Sequence, residues 1–152
     1  MRAVETVVVG AGQAGLAVSR CLTARGAGHV VVERGRIAER WRSARWDSLR
    51  LLTPNWMSRL PGWSYPGPDP DGYMAARELA GYLADYAGSF AAPVHENTTV
   101  ECVEAAAGGL RVVTGQRTWL ARNVIVATGT ENRAYLPPAA GGIGPEIRQL
   151  TA

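Results

Sequence analysis

Three glycines near the amino terminus have the spacing of a phosphate-binding turn. Gly10, Gly12 and Gly15 separate an apolar run from a helical pattern. Gly10 allows a tight turn, Gly12 lets the backbone approach a ligand because no Cβ intrudes, and Gly15 allows the helix to pack closely on the strand. Amide groups at a helix N-terminus lack intrahelical partners, and the helix dipole adds positive potential. A pyrophosphate could therefore bind there without any basic side chain.

A carboxylate follows at the distance that a nucleotide site requires. Glu33 ends the run His-Val-Val-Val-Glu, eighteen positions after Gly15. In dinucleotide sites an acidic residue at about this distance accepts hydrogen bonds from ribose hydroxyls. The glycine spacing alone would also fit a merely tight turn between strand and helix. Together with Glu33 it predicts a dinucleotide site.

The elements that must position these residues follow from hydrophobic periodicity. Residues 5–9 and 30–32 read as buried parallel strands, with a helix over 13–25 between them. A second helix is predicted over 75–90, where four residues at helical spacing form a core-facing stripe: Leu79, Tyr82, Leu83 and Tyr86. Short β runs at 98–103, 110–114 and 118–120 read as an antiparallel meander, followed by a buried strand at 123–127. A meander in this place favours FAD over NAD as the resident dinucleotide.

Between Glu33 and the second helix the chain changes character. Six arginines and two tryptophans fall within residues 34–50. A solvated face over a Trp core, a stacking platform for single-stranded nucleic acid, and a wall of the dinucleotide site all fit this composition, and we favour the third. Residues 54–73 are rich in Pro and Gly but carry four aromatics, which predicts an ordered excursion packed on the domain.

Composition excludes several other classes. All 16 basic residues of the 152-residue chain are arginines, which together with abundant Ala and Gly indicates codon bias rather than selection for a polyanion. The arginines share no helical face, so no nucleic-acid partner is expected. Cys21 and Cys102 lack metal-ligand spacing and are expected to be reduced, with no metal site. Without a signal peptide or a span-length apolar window, we expect a cytoplasmic protein with no membrane partner.

Several motifs together resemble the N-terminal part of the flavin-containing monooxygenase family. They are Gly10-Ala-Gly-Gln-Ala-Gly15, Glu33, the segment Arg45-Trp46-Asp47-Ser48-Leu49-Arg50-Leu51, Leu60-Pro61-Gly62 and Ala127-Thr128-Gly129. The resemblance implies an incomplete Rossmann-like FAD-binding domain of the α/β class, a parallel sheet with flanking helices plus a small antiparallel β-meander. It also implies that FAD is the cofactor and NADPH the reductant, and that a small organic substrate is oxygenated through a flavin hydroperoxide. The flavin supplies the chemistry, and the protein orients it and excludes water.

Site residues follow from the same resemblance. It implies that Gly10, Gly12 and Gly15, with the amides of Gln13 and Ala14, hold the pyrophosphate. Glu33 would accept hydrogen bonds from the adenosine ribose hydroxyls, and Arg34 would lie beside the adenine. The remaining implied contacts are Trp41 and Arg42 along the pyrophosphate and ribityl chain, the Val100 backbone at the adenine, and Thr128 with Gly129 at the turn that leaves the FAD domain. No catalytic residue is assigned: Asp47 is the candidate nearest the predicted flavin, and a role as a loop hydrogen-bond acceptor is favoured for it.

Family members continue beyond this length with an NADPH-binding unit and a C-terminal return to the FAD domain. We therefore expect residues 1–136 to be the N-terminal portion of the FAD-binding domain, with the meander at about 94–122. Residues 137–152 would begin the linker to an absent NADPH-binding domain. The missing segments are expected partners, and a separate chain could supply them, since this chain alone is not expected to be competent. A non-catalytic FAD- or NAD-binding module and an inactive truncated gene product stay open as alternatives.

Overall fold

A mixed six-stranded sheet is the framework of the computed structural model, which describes residues 1–129 and 135–149. In chain order the elements are β1 (Arg2–Val9), α1 (Gln13–Ala24), β2 (His29–Val32), α2 (Glu39–Ser43), β3 (Arg59–Leu60), β4 (Trp63–Ser64), α3 (Ala76–Ser89), β5 (Val94–His95), β6 (Val100–Ala106), β7 (Gly109–Thr114) and β8 (Thr118–Val126). The main sheet has the order β5-β2-β1-β8-β7-β6, and β3 pairs with β4 as a separate hairpin. Two 3₁₀ turns occupy Asn55–Met57 and Pro138–Gly142.

The parallel half of the sheet is centred on β1. This strand pairs in parallel with β2 on one side and with β8 on the other. Val7 and Val8 are fully buried, as expected for a strand covered on both faces. The predicted strand, helix and strand at the amino terminus are therefore confirmed, and they form the fold class that the sequence indicates.

Strand β8 serves both halves of the sheet. Its first residues pair antiparallel with β7, while its whole length from Trp119 to Val126 pairs in parallel with β1. The sequence predicted two separate strands here, at 118–120 and 123–127. They are one strand because β1 offers an unbroken parallel partner across both runs. Val94, predicted at the start of the meander, lies instead in β5, a parallel edge strand beside β2.

Each face of the sheet carries its own apolar core. On one face α1 and α3 pack against the sheet, and all four residues of the predicted α3 stripe are buried. On the other face Val7, Val32 and Val112 pack with Trp119, which is 1% exposed. The Trp119 ring also lies 5.6 Å from that of His95, although β2 and β1 separate their strands in the sheet order. The antiparallel half must therefore curl over this face.

The Pro- and Gly-rich excursion at 54–73 is ordered, as predicted. Buried Asn55 ties it together, since its side chain donates to the Asp69 carbonyl at 2.9 Å and accepts from the Met74 amide at 2.8 Å. Two hydroxyls from α3 hold its hairpin: Tyr82 donates to the Ser58 carbonyl and Tyr86 to the Pro61 carbonyl. Burial raises the pKa of both tyrosines, so the two hydroxyls remain protonated donors. No helix in residues 1–129 or 135–149 is long and apolar enough to cross a membrane.

Candidate dinucleotide site

The carboxyl ends of three neighbouring parallel strands, β1, β2 and β8, lie side by side. The Gly10 amide donates to the Val32 carbonyl at 2.8 Å, which joins the end of β1 to the end of β2. The Ala127 amide donates to the Val9 carbonyl at 2.8 Å, which joins β8 to the same place. Ligands of open α/β sheets bind at the carboxyl ends of the strands. The glycine loop and Glu33 therefore lie where such a fold binds ligands.

The three glycines of the loop are required for different reasons. Gly10 has φ of 108°, and a Cβ there would lie 2.5 Å from the Ala127 carbonyl oxygen. A Cβ on Gly15 would overlap the Gly10 carbonyl oxygen, so this glycine lets α1 approach the strand. At Gly12 a Cβ would meet nothing within 4 Å. The fold itself does not need a glycine at position 12, which fits a loop that a ligand approaches closely.

The N-terminus of α1 faces the same place. Gly12 is its N-cap, and no side chain of the described residues caps the helix or puts a negative charge in its first turn. Gln13 and Ala14 are exposed there. The first amides and the helix dipole of this 12-residue helix thus remain available to an anion.

Glu33 joins the glycine loop to the segment that follows β2. Its carboxylate accepts the Ala11 amide at 2.8 Å and the Gly35 amide at 3.0 Å. Each carboxylate oxygen has a second lone pair, so these two bonds leave capacity for ribose hydroxyls. Glu33 is half-buried. The residue is thus placed as its predicted role requires, and that role stays a prediction.

Trp41 and Arg42, predicted along the pyrophosphate and ribityl chain, both lie on α2. Ala38, with φ of 59°, donates its amide to the Ala11 carbonyl at 3.1 Å and so brings the start of α2 against the glycine loop. Trp41 is half-buried beside the core, one turn further on. The Arg42 guanidinium donates to the Ile37 carbonyl at 3.1 Å and to the Ala80 carbonyl at 3.5 Å. Arg42 therefore links α2 to α3. Arg34, which was predicted beside the adenine, is an exposed residue directly after Glu33.

The remaining predicted residues come from the start of β6 and from the turn that follows β8. The Thr98 amide donates to the Glu33 carbonyl at 2.8 Å, which brings the start of β6 and hence Val100 towards the site. The Cα of Thr128 lies 3.4 Å from where a Gly10 Cβ would be. Gly129 follows it with φ of 76°. The fold thus gathers the glycine loop, Glu33 and Thr128 closely, with Val100 nearby.

Two carboxylates at this site were missed by sequence reasoning. Glu39 accepts the Arg36 amide at 3.1 Å, and Glu96 accepts the Ile37 amide at 2.6 Å. Hydrogen bonds from Arg36 lower the pKa of Glu39 to about 2. A capping signal could have identified Glu39, which lies in the first turn of α2. Glu96 is 59 positions away from Ile37, and no local pattern indicates that pairing.

Asp47 and a cavity beside α3 both lie apart from the predicted site residues. The Asp47 side chain is 96% exposed, with Arg77 at 3.7 Å. A cavity of about 430 Å³ lies between the excursion and α3, lined by Arg50, Tyr65 and Asp69 among others. It includes none of the predicted site residues. The carboxylates at the strand ends, Glu33, Glu39 and Glu96, each accept a backbone amide, so the arrangement is suited to holding a nucleotide and not to acid–base chemistry.

A parallel sheet with a glycine-rich turn and an acidic residue after its second strand defines a Rossmann-like nucleotide-binding protein. The family model described as "Pyridine nucleotide-disulphide oxidoreductase" matches residues 7–143. The chain belongs to this family of oxidoreductases, and within it the chain resembles the N-terminal FAD-binding part of flavin-containing monooxygenases, as its motifs indicated.

Relatives of known sequence and structure agree with this placement. An uncharacterized oxidoreductase CzcO-like of Geobacillus kaustophilus is 39% identical over 97% of this chain and 42% of its own length. A probable indole-3-pyruvate monooxygenase of Arabidopsis thaliana, YUCCA1, is 36% identical over 89% of this chain and 33% of its own. A flavin-containing monooxygenase from Stenotrophomonas maltophilia superposes with a TM-score of 0.81 at 38% identity, covering 90% of this chain and 42% of that one. The chain thus spans about two-fifths of these relatives or less.

Proposed function

We propose that the chain is the FAD-binding portion of an NADPH-dependent flavin monooxygenase that oxygenates a small organic substrate. The observation that carries the proposal is the open space at Gly12, beside the exposed start of α1 and the Glu33 carboxylate. A glycine that nothing in the described protein requires is expected where a pyrophosphate contacts the backbone. The flavin monooxygenase among the similar structures supports FAD as the occupant.

Each part of the site would have a distinct task. The amides at the start of α1 would bind the pyrophosphate, while Glu33 would accept hydrogen bonds from the adenosine ribose. Trp41 and Val100 would shield the nucleotide from water, and Thr128 would lie where the chain leaves the sheet. Bound FAD, once reduced by NADPH, supplies the oxygen chemistry. The protein's contribution would be to orient the cofactor and to keep water away from it.

The first test separates binding from folding. FAD affinity is measured by isothermal titration calorimetry for the wild type, for Gly12→Ala and for Gly28→Ala, a second glycine whose Cβ would meet nothing within 4 Å. We expect Gly12→Ala to weaken binding at least about tenfold with an unchanged melting temperature of the ligand-free protein. Gly28→Ala should bind like the wild type. Equal affinity in all three proteins, or none in the wild type, would refute the proposed FAD site.

The end of β8 would offer a docking place to the proposed partner segments. Beyond Ala121, strand β8 pairs with β1 only, so within the described part of the chain its residues 122–126 have no neighbour on the side of β7. Val126 in this open segment of β8 is 71% exposed. An unpaired strand edge with exposed apolar residues is a template for another strand. We propose that a segment from the missing part of the full-length enzyme pairs here.

A chimera tests the activity. Residues 1–149 are fused to the corresponding remainder of the Stenotrophomonas maltophilia flavin-containing monooxygenase, which is 38% identical over the shared part. NADPH-dependent oxygen consumption is expected from the fusion and not from the chain alone. The same fusion with Gly12→Ala should be strongly impaired at limiting FAD. An inactive fusion that nevertheless retains FAD would argue against the monooxygenase assignment and leave the FAD site standing.

A further inference from the structure

Three consecutive amides after Glu33 each donate to a different carboxylate. The Gly35 amide donates to Glu33 at 3.0 Å, the Arg36 amide to Glu39 at 3.1 Å, and the Ile37 amide to Glu96 at 2.6 Å. The next amide, that of Ala38, donates to the Ala11 carbonyl of the glycine loop. We call residues 35–37 the capped turn. Every N–H group of this turn is therefore directed at an oxygen of the protein.

The one cation of the capped turn is also neutralised by the protein. The Arg36 guanidinium makes two hydrogen bonds to the Glu39 carboxylate, at 2.8 and 3.0 Å. A Cβ on Gly35 would lie 2.7 Å from the Glu39 Cγ, so the glycine makes room for this side chain. Glu39 remains ionised under all ordinary conditions because Arg36 lowers its pKa to about 2.

Main-chain bonds hold Glu96 in place against the turn. The Asn97 amide donates to the Gly35 carbonyl and the Thr98 amide to the Glu33 carbonyl, both at 2.8 Å. The Thr98 hydroxyl donates to the Glu96 carbonyl at 2.9 Å. With the Glu33 amide donating to the His95 carbonyl at 2.9 Å, backbone bonds on both sides of Glu96 hold its main chain against this segment. Its exposed carboxylate is directed to the turn by the bond from the Ile37 amide.

Successive backbone N–H groups beside arginines are otherwise a site for an anion. The sequence Glu33-Arg-Gly-Arg36 is ambiguous in this respect, since an acidic residue favours a ribose with free hydroxyls and a nearby Arg can accommodate a 2′-phosphate. A phosphate on a ribose hydroxyl bound at Glu33 would be next to the capped turn, whose Gly35 amide is 3.0 Å from the same carboxylate. There the phosphate would lie close to the carboxylates of Glu33, Glu39 and Glu96, and the amides of the turn would already be hydrogen-bonded to them.

We infer that Glu39 and Glu96 are specificity-determining residues, which together with Glu33 make this site accept adenosine nucleotides with a free 2′-hydroxyl and reject 2′-phosphorylated ones. The inference rests on the proposed function, because it assumes that the nucleotide ribose binds at Glu33. The site would thus discriminate against NADPH, the reductant of the proposed reaction, and keep it from the place of the resident cofactor. Glu39 and Glu96 act by charge and by occupying the amides that a phosphate would need.

Calorimetry with two ligands that differ only in the 2′-phosphate tests this. The probes are ADP-ribose and 2′-phospho-ADP-ribose, and the proteins are the wild type and the double variant Glu39→Gln with Glu96→Gln. Glutamine can still accept the amide hydrogen bonds, so the turn keeps its shape while two charges are removed. The matched control is Asp85→Asn with Glu146→Gln, which removes two charges at exposed positions elsewhere.

The wild type is expected to bind ADP-ribose at least about tenfold more tightly than its 2′-phosphate. In the double variant ADP-ribose affinity should stay within about twofold, while affinity for the 2′-phosphate should rise about tenfold, an effect that shrinks as salt is raised. The control should keep the wild-type ratio. Equal wild-type affinities, or an unchanged ratio in the double variant, overturn the inference and leave the nucleotide site standing. Failure of the wild type to bind either probe overturns the proposed function, and this inference with it.

Discussion

Glu33 connects three parts of the molecule through one carboxylate. It directly follows β2, and its carboxylate accepts the Ala11 amide of the glycine loop and the Gly35 amide of the capped turn. Buried or half-buried donors lose their partners when such an acceptor is removed, at a cost of about 1–3 kcal/mol. The residue should therefore affect both ligand affinity and the shape of the empty loop.

We expect Glu33→Ala to weaken FAD binding by about 1–3 kcal/mol, because ribose hydroxyls and two amides lose their acceptor. Titration calorimetry measures the dissociation constant. Glu33→Gln, which retains an acceptor oxygen, should lose less. A dissociation constant that Glu33→Ala leaves unchanged would show that the carboxylate does not bind the ribose.

At this scale the sequence identified the residues whose role depends on local spacing. The glycine loop and Glu33 follow from distances along the chain, and the structure places them together. Glu96 could not be found this way, because it reaches Ile37 only through the pairing of residues distant in sequence. Arg42 was predicted at the cofactor, and its guanidinium also binds two backbone carbonyls, a partner choice that no sequence pattern indicates.

Helix α3 acts as the support of the Pro- and Gly-rich excursion. Its Tyr82 and Tyr86 hydroxyls donate to two carbonyls of that segment at 2.9 and 3.1 Å. The Trp63 ring of the hairpin lies 6.3 and 6.1 Å from the same two tyrosine rings. The excursion therefore depends on aromatic packing and on a small number of polar contacts.

Replacing Tyr82 and Tyr86 together by Phe should lower the free energy of unfolding by about 1–3 kcal/mol, since each lost hydrogen bond costs about 0.5–1.5 kcal/mol. Urea unfolding measures this loss. Limited proteolysis within residues 54–73 should become faster as well. Tyr73→Phe, at a tyrosine that is 48% exposed, is the control and should change neither quantity. Unchanged protection in the double variant would contradict the supporting role of the hydroxyls.

Edge strand β5 contributes a pH dependence through His95. Burial, with the charges of Arg117 and Arg2, lowers the pKa of His95 below its ordinary value of 6.5. The folded state then binds this proton more weakly than the unfolded state does. The stability that depends on neutral His95 is complete above pH 6.5 and is lost as the pH falls through the lowered pKa.

The melting temperature of the wild type should therefore fall more between pH 7.5 and pH 5.5 than that of His95→Gln, which cannot titrate there. Differential scanning calorimetry at the two pH values gives the comparison. An equal fall of the melting temperature in the two proteins would show that protonation of His95 does not affect stability in this pH range.

Hydrophobic periodicity in the sequence predicted which segments are helices and which are strands. It did not predict which strands pair with each other. The α3 stripe and the β1-α1-β2 unit were predicted because their patterns are local. The continuity of β8 depends on β1, more than a hundred positions earlier, so the local break after Leu120 was misleading. Likewise two residues, Val94 and His95, are too short a run to show which edge of the sheet they join.

For the whole molecule, the open segment of β8 is an uncovered, largely apolar strand segment within the described residues. The edge strand β6 carries Glu101 and Glu104, and charged edges resist pairing with a second chain. In the open segment the only charge is Arg122 at its start, and Val126 at its far end is 71% exposed. We expect concentration-dependent self-association of this chain through residues 122–126.

Sedimentation velocity over a range of concentrations should show this association in the wild type. Val126→Lys should suppress it, because a charge at an unpaired edge opposes strand addition. Val103→Lys on β6, also at an exposed valine, serves as the matched control and should leave it unchanged. Equal association in all three proteins would place the contact elsewhere.

The central place of β1 has a consequence for synthesis. This strand is made first, yet one of its two neighbours is β8, near the end of the described chain. The wall behind Gly10 also consists of Ala127 and Thr128. Ribosomes add about 5–20 residues per second, so β1 has no β8 partner for several seconds after it is synthesised. The candidate site can therefore be complete only after β8 and the residues that follow it have left the ribosome, and a nucleotide would bind there only after that point.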